Sequence, residues 1–185
     1  GVPVALVGET NAGKSTLLNA LVGEERALVS NVHGTTRDTI EETVNVGGTL
    51  VRFIDTAGIR ETSDTVERMG IERTFDKMAE ADIVLWLIDL TVYQAQYDEL
   101  AEKIGAQVEG KQLVVLLNKT DLVSESTINE AKQYISGQLN NAVPTPMLLI
   151  LSAQSGSGLD QLKQLLAASL STLQAENNST GTIVS

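Results

Sequence analysis

Short apolar runs of strand length alternate along this chain with longer segments of helical periodicity. The apolar runs, which are bounded by turn-forming residues, span 2–7, 43–46, 49–54, 83–88, 112–117 and 147–151. The helical segments span 14–22, 66–79, 95–108, 126–139 and 159–173. Because the runs are apolar almost throughout, the strands are expected to be covered on both faces. The alternation predicts an α/β domain with a six-stranded, mostly parallel sheet and helices on both faces.

One edge strand of this sheet is expected to be antiparallel. The dipeptide Gly47-Gly48 separates the second run from the third and tolerates the positive φ angles of a two-residue hairpin. At the far end of the chain, residues 174–185 are polar and have no period. They predict a frayed tail or a linker after a folded domain of residues 1–173.

The chain is acidic and contains no cysteine. Its 185 residues include 13 Lys and Arg against 24 Asp and Glu, a formal net charge of −11, and 42% are hydrophobic. Disulfide frameworks and thiolate zinc sites are therefore excluded. The negative charge disfavours phosphate backbones and anionic membranes, so we expect little direct nucleic-acid binding and no membrane contact. Without a signal-like or spanning run, the expected compartment is the cytoplasm. A strand that begins at once, without an initial Met, favours a domain of a longer protein.

The segment from Gly8 to Ser15, GETNAGKS, matches the GxxxxGK[ST] phosphate loop. It follows the first predicted strand and opens a predicted helix, as this loop requires. Backbone N–H groups and the helix N-terminus would face the phosphates, Lys14 would reach the β- and γ-phosphates, and the Ser15 hydroxyl would bind Mg²⁺. The alternative is a glycine-rich turn that precedes a helix by chance. The predicted nucleotide-binding residues here are Asn11, Ala12, Gly13, Lys14, Ser15 and Thr16.

A second motif, FIDTAG at residues 53–58, ends another predicted strand. The Asp55 carboxylate would support the Mg²⁺ shell, and the Gly58 N–H would sense a γ-phosphate. An ordinary Asp-to-Gly turn at a strand end is the alternative. Together with the phosphate loop, this motif predicts a nucleoside triphosphate site.

Two segments after later strands indicate which base is bound. Asn118-Lys119-Thr120-Asp121 follows the fifth run, and Ser152-Ala153 follows the sixth. Ligands of open α/β sheets bind outside the carboxyl ends of the strands, so both segments are expected beside the phosphate loop. The Asp121 carboxylate can accept the N1–H and 2-amino group of guanine, a donor pair that adenine lacks. Lys119 can lie along the base and the Ala153 N–H can meet O6, so the predicted ligand is GTP. Taken alone, the first segment could also be a solvated helix cap.

Four segments carry a resemblance to a known family. They are NAGKS at 11–15, GTTRD at 34–38, DTAGIR at 55–60 and VERMGIER at 66–73. Over residues 2–173 the chain resembles Ras-like G domains of the translation-factor superclass, and among them the MnmE (TrmE) family of tRNA modification GTPases. The last two segments discriminate, because the related Der and Era families usually have a different third motif and lack the last run. Thr10 departs from the family, which commonly has Pro there.

The resemblance implies a G domain inserted in a helical domain and preceded by a tetrahydrofolate-binding domain that drives dimerisation. It implies that the whole protein works with the FAD-dependent partner MnmG on the wobble uridine of certain tRNAs. This domain alone is expected to bind and hydrolyse GTP without modifying tRNA. The resemblance also implies Thr36 closing over Mg²⁺ and a K⁺ ion held by Asn11 and by oxygens of Ser30, Val32 and Thr35.

Catalysis is expected to differ from that of Ras-like enzymes. Those enzymes orient the attacking water with a Gln directly after Asp-x-x-Gly, where this chain has Ile59. A cation at Asn11 would neutralise the charge that develops between the β- and γ-phosphates. The hypothesis is that two G domains meet across their nucleotide faces in K⁺, with Glu67 acting through a second water. Without the resemblance, Glu67 is better explained as a solvated carboxylate in the first turn of a helix.

Three other residues are assigned no central catalytic role. Arg37 could act as a catalytic finger, but a local charge pair with Asp38 is at least as good an explanation. His33 is expected to face solvent, because a general base needs a positioned partner. Trp86 is expected to pack in the core and not to serve as a stacking platform.

Two classes of function follow from these patterns. In the first, the domain is a self-activating hydrolase whose dimerisation moves flanking domains. In the second, it is a nucleotide-gated binding module that slow hydrolysis resets, as in ribosome-assembly GTPases of the Der and Era type. The sequence favours the first class.

Overall fold

The computed structural model describes residues 1–25, 42–54, 78–139 and 144–184. The described strands are β1 (Val2–Gly8), β2 (Glu42–Val46), β3 (Thr49–Phe53), β4 (Ile83–Asp89), β5 (Gln112–Asn118) and β6 (Met147–Ile150). The described α-helices are α1 (Lys14–Glu25), α2 (Tyr93–Gln107), α3 (Glu125–Leu139) and α4 (Leu159–Val184). Each described helix and strand matches a segment that the sequence predicts, with ends that differ by a few residues except at the end of α4.

The six described strands form one sheet in the order β2-β3-β1-β4-β5-β6. Strands β2 and β3 are antiparallel, and the other neighbouring pairs are parallel. The predicted sheet with one antiparallel edge strand is therefore confirmed. Both Gly47 and Gly48 have positive φ, 57° and 87°, as the predicted two-residue hairpin requires.

The sheet is covered on both faces because its strands alternate between two apolar clusters. Val4 and Leu6 of β1 pack with side chains of α1 and α4 on one face. Ala5 and Val7 point the other way and pack with α2 and α3. This arrangement explains why the parallel strands are apolar almost throughout and not alternating.

Trp86 lies in the core on the α2 and α3 face, as predicted. Its side chain is 1% exposed and stacks on Tyr97, with ring centroids 5.1 Å apart. Buried between strand and helix, the indole offers no platform for a base.

The end of the chain differs from its expected form. Residues 174–184 were predicted as a frayed tail or linker, but the backbone continues as helix α4 to Val184. Polar composition without a clear period is a weak signal against helix, because a helix that is already nucleated can extend through such residues. The domain boundary at 173 stays a prediction.

Most of the predicted helix 66–79 lies outside the described residues. Within the described part of the chain, no helix combines the length and the apolar character needed to cross a bilayer.

Parallel strands bring their carboxyl ends to one edge of the sheet. Strands β1, β4, β5 and β6 end there, at Gly8, Asp89, Asn118 and Ile150. The segments that follow these strands meet along this rim, which is where ligands of open α/β sheets bind.

Candidate functional site

The phosphate loop has the backbone that its glycines predict. After β1, residues Thr10–Ala12 form a 3-10 turn, Gly13 has φ 99°, and α1 begins at Lys14. A Cβ at Gly8 would lie 2.5 Å from the Leu87 carbonyl oxygen, so this position also requires glycine. α1 therefore begins directly at the loop, and the N-terminus of a helix stabilises anions.

Lys14 is held inside this loop. The residue is only 7% exposed, and its Nζ donates a 2.7 Å hydrogen bond to the Gly8 carbonyl oxygen. The ammonium group therefore already lies over the loop, at the place where a phosphate oxygen could accept from it.

Asn118 joins three segments that are far apart in the sequence. Its Nδ2 donates to the Ala12 carbonyl oxygen at 2.8 Å, and its Oδ1 accepts from the Ala153 N–H at 2.9 Å. The residue is 3% exposed, so both ends of the amide are used in a buried setting. Asn118 thereby fixes the phosphate loop, the end of β5 and the start of the loop after β6 relative to one another.

The Ala153 N–H has a different partner from the one expected from the sequence. It was expected to meet a guanine O6, and in the structure it donates to Asn118. A base carbonyl that accepts from this N–H would have to share the donor with Asn118 Oδ1 or displace Asn118 Oδ1 from it.

The Lys119 backbone is in the left-handed region, with φ 75°, and it is the one non-glycine residue with positive φ among those described. Its Nζ donates to Asp89 Oδ2 at 2.9 Å, and the side chain is 29% exposed. Burial raises the pKa of Asp89, but hydrogen bonds from Thr91 and Lys119 outweigh it and hold this pKa below its ordinary value of 3.8. The carboxylate of Asp89 is therefore ionised at neutral pH.

Asp121 and Ser152 approach each other from two loops. The Ser152 Oγ donates to Asp121 Oδ1 at 2.9 Å, and the same Oγ accepts from the Ser155 N–H. Asp121 is exposed whereas Ser152 is buried. A buried hydroxyl therefore orients an exposed carboxylate, which can accept further hydrogen bonds from a ligand.

Several predicted residues lie outside the described parts of the chain. They are Ser30, Val32, His33, Thr35, Thr36, Arg37, Asp38, Asp55, Gly58, Ile59 and Glu67. The described residues of the predicted site are thus the phosphate loop, Asn118, Lys119, Asp121, Ser152 and Ala153, and the structure brings all of these to one rim.

The described candidates for metal binding offer suitable donors. Ser15 is partly exposed in the first turn of α1, and hydroxyl oxygens suit Mg²⁺ when phosphates share the ion. Asn11 is exposed on the 3-10 turn of the loop and carries a neutral carboxamide oxygen. The chemistry of these donors therefore fits both ions implied by the resemblance.

Sequence reasoning missed Asp89, Thr91 and Gln96. Asp89 directly follows the predicted strand 83–88, and its spacing to Thr91 is typical of a cap, in which the carboxylate accepts from the N–H two residues on. That pattern was available in the sequence. The contact of Asp89 with Lys119 depends on the pairing of β4 with β5, which the sequence does not specify.

The fold and this rim define a class of protein, the P-loop GTPase G domain. A family model described as 50S ribosome-binding GTPase matches residues 3–119. The chain therefore belongs to that family, and the domain is a GTPase.

Among GTPases, the chain is similar to curated relatives of one kind, the tRNA modification GTPase MnmE. The chain is 51% identical over 168 residues to the tRNA modification GTPase MnmE of Bacteroides fragilis. This match covers 91% of this chain and 36% of the relative. It is 59% identical over 123 residues to MnmE of Phocaeicola vulgatus, covering 66% of this chain and 25% of the relative. These matches confirm the predicted resemblance to MnmE for the G domain alone, since they cover 36% and 25% of the lengths of these two relatives.

A solved structure supports the same class. Era in complex with MgGDPNP and nucleotides 1506-1542 of 16S ribosomal RNA superimposes with a TM-score of 0.67 at 28% identity. The match covers 89% of this chain and 55% of the Era chain.

Proposed function

We propose that GTP binds along this rim, with its phosphates on the loop from Gly8 to Thr16 and its guanine against the segments after β5 and β6. The observation that carries the proposal is the Asn118 amide, which joins the phosphate loop to the second of these segments through two buried hydrogen bonds. A polar side chain buried between three loops costs free energy unless it is paired. A rim built in this way has its phosphate and base subsites at a fixed spacing.

Guanine is read by Asp121. Its carboxylate accepts from the N1–H and the 2-amino group of the base, while Ser152 holds Oδ1 from the side away from solvent. Lys119 lies along the base, and Asn118 and Ala153 form the inner wall. Adenine has an acceptor at N1 and would leave the carboxylate without donors, which is costly.

Exchange of one carboxylate for an amide tests this assignment. Asp121→Asn places an N–H donor opposite a guanine donor, so GDP affinity should fall by roughly 100-fold, and affinity for xanthosine diphosphate, which has an acceptor there, should rise. Asp98→Asn, on the exposed side of α2, is the matched control and should change neither affinity. Equal weakening of both nucleotides by Asp121→Asn would contradict base reading by Asp121.

Hydrolysis depends on the two cations and on the protein groups that contact the bound phosphates. Mg²⁺, held by Ser15 with Thr36 and Asp55, would screen the β- and γ-phosphate charge. K⁺, held by Asn11 with oxygens of Ser30, Val32 and Thr35, would supply positive charge beside the bond that breaks. Lys14 exchanges Gly8 for phosphate oxygens, and the Gly58 N–H contacts the γ-phosphate.

We further propose that two G domains associate across their nucleotide faces in K⁺, and that Glu67 positions the attacking water through a second water. This proposal rests on the resemblance and on Ile59, whose apolar side chain cannot orient water. Activation by a second copy makes the hydrolase respond to its own concentration.

The domain is proposed to act in tRNA wobble-uridine modification, as part of a longer cytoplasmic protein that works with MnmG. Support comes from relatives named tRNA modification GTPase MnmE at 51% and 59% identity. The formal charge of −11 favours tRNA contact by other domains and little by this one.

A nucleotide-gated binding module of the ribosome-assembly type is the second candidate. It is favoured by the Era structure, which holds 16S ribosomal RNA, and by the description of the matching family. Potassium-dependent dimerisation with a transition-state mimic separates the two functions, because a pure binding module should stay monomeric.

A further inference from the structure

We propose that Asp89 is a positioning residue for guanine recognition, which fixes Lys119 in the orientation that the base requires. The proposal rests on the assignment of Lys119 and Asp121 to the guanine site made above. Asp89 is the last residue of β4 and pairs in register with Asn118, the residue before Lys119. The carboxylate therefore lies beside the segment that reads the base, although it belongs to another strand.

The Asp89 carboxylate is held from several directions. Its Oδ1 accepts from the Thr91 N–H at 2.8 Å and from the Thr91 hydroxyl at 2.6 Å, and its Oδ2 accepts from Lys119 Nζ. The Asp89 N–H donates to Oε1 of Gln96, which is itself buried. The backbone and the carboxylate of Asp89 are thus fixed by the 3-10 turn before α2 and by Gln96 of α2, and Lys119 contacts an anion that is held in place.

Lys119 needs such an anchor because of its backbone. A lysine with φ 75° adopts a conformation that side chains disfavour, and it persists where the surroundings compensate for it. The ion pair to a carboxylate that is only 6% exposed draws Nζ towards β4. With the backbone and the terminal amine both fixed, the aliphatic stem between them has one course along the rim.

Breaking the pair should therefore weaken base binding and leave the phosphate chemistry intact. Asp89→Asn retains an oxygen that accepts from Thr91 and removes the charge that holds Lys119. We expect GDP affinity, measured by calorimetry, to fall about tenfold. In hydrolysis assays KM for GTP should rise while kcat at saturation stays within twofold, a split that general damage to the fold would not give.

A double-mutant cycle tests whether Asp89 acts through Lys119. If it does, Asp89→Asn combined with Lys119→Ala should bind GDP no more weakly than Lys119→Ala alone. Additive losses would overturn the proposal, as would an unchanged affinity in Asp89→Asn. If Lys119→Ala itself binds GDP normally, the guanine-site assignment fails instead, which separates the two failures.

Two further variants control for folding and charge. Asp98→Asn removes a carboxylate of α2 that accepts from the Tyr134 hydroxyl and should leave GDP affinity unchanged. If Asp89→Asn does not fold, Thr91→Val removes one of the bonds to Oδ1 and should give a smaller loss of the same kind. A Thr91→Val domain with unaltered KM would overturn the proposal.

Discussion

The backbone of Gly13 lies directly against the side-chain amide of Asn118. A Cβ built on residue 13 would stand 2.5 Å from Asn118 Nδ2, which donates to the neighbouring Ala12 carbonyl. Gly13 also has φ 99°. The phosphate loop and the end of β5 therefore fit together only because residue 13 has no side chain.

Replacement of Gly13 by alanine should disturb both the phosphate loop and its contact with the end of β5. The forbidden φ and the contact with Asn118 predict a loss of about 1–3 kcal/mol in the free energy of unfolding and at least roughly tenfold weaker GDP binding. Gly105→Ala is the matched control, because it lies within α2 and a Cβ there meets nothing within 4 Å. This control should raise stability by up to about 1 kcal/mol. Urea unfolding and calorimetry of the two variants measure both effects, and an equally stable Gly13→Ala domain would contradict the contact.

Asn118→Ala should cost stability even in the absence of nucleotide. The Ala12 carbonyl and the Ala153 N–H, whose hydrogen bonds to Asn118 are buried, would both lose this partner. The expected loss is about 1–3 kcal/mol in the free energy of unfolding. Urea denaturation of the nucleotide-free domain measures it. A loss seen only with GDP present would show that Asn118 serves the ligand and not the loops.

The Asp89 ion pair predicts a particular dependence of stability on pH. Because hydrogen bonds hold the pKa of folded Asp89 below 3.8, the carboxylate stabilises the fold above that pH, and this stabilisation is lost as pH falls through the folded pKa. The stability difference between the parent domain and Asp89→Asn should be constant from about pH 5 to 8 and shrink below about pH 4. Denaturant midpoints across this range test it. A stability difference that grows on acidification would contradict a stabilising role of the ionised Asp89.

Glu67→Ala tests the proposed route to the attacking water. Turnover should fall by roughly 100-fold, as for loss of a group that positions the attacking water, with GDP affinity unchanged. Hydrolysis under saturating GTP, together with GDP calorimetry, gives both quantities. Unaltered turnover would remove Glu67 from the mechanism.

The sequence predicted the class of fold, although not the order of its strands, because the apolar runs and Gly47-Gly48 act locally. Alternation of strands and helices specifies a layered parallel sheet, and positive φ at two consecutive glycines specifies the hairpin. The sequence did not predict that α4 continues beyond residue 173, since polar residues without a period carry little information about helix continuation.

The candidate site was predictable in part. Motifs identified which segments meet, because the carboxyl ends of parallel strands share an edge. The motifs did not predict the hydrogen bonds and the ion pair that form between those segments. The Asn118 bridge and the Asp89 contact with Lys119 depend on strand order and register, so they emerge only when β4 lies next to β5.

Potassium and a second copy of the domain are proposed to activate hydrolysis. The most direct test of this proposal is the GTP hydrolysis rate per domain as a function of domain concentration, in buffers that differ only in K⁺ or Na⁺ at equal ionic strength. We expect a rate in K⁺ that is roughly tenfold or more above the rate in Na⁺ and that rises with domain concentration. Equal, slow rates that do not depend on concentration in either buffer would contradict it and favour a nucleotide-gated binding module.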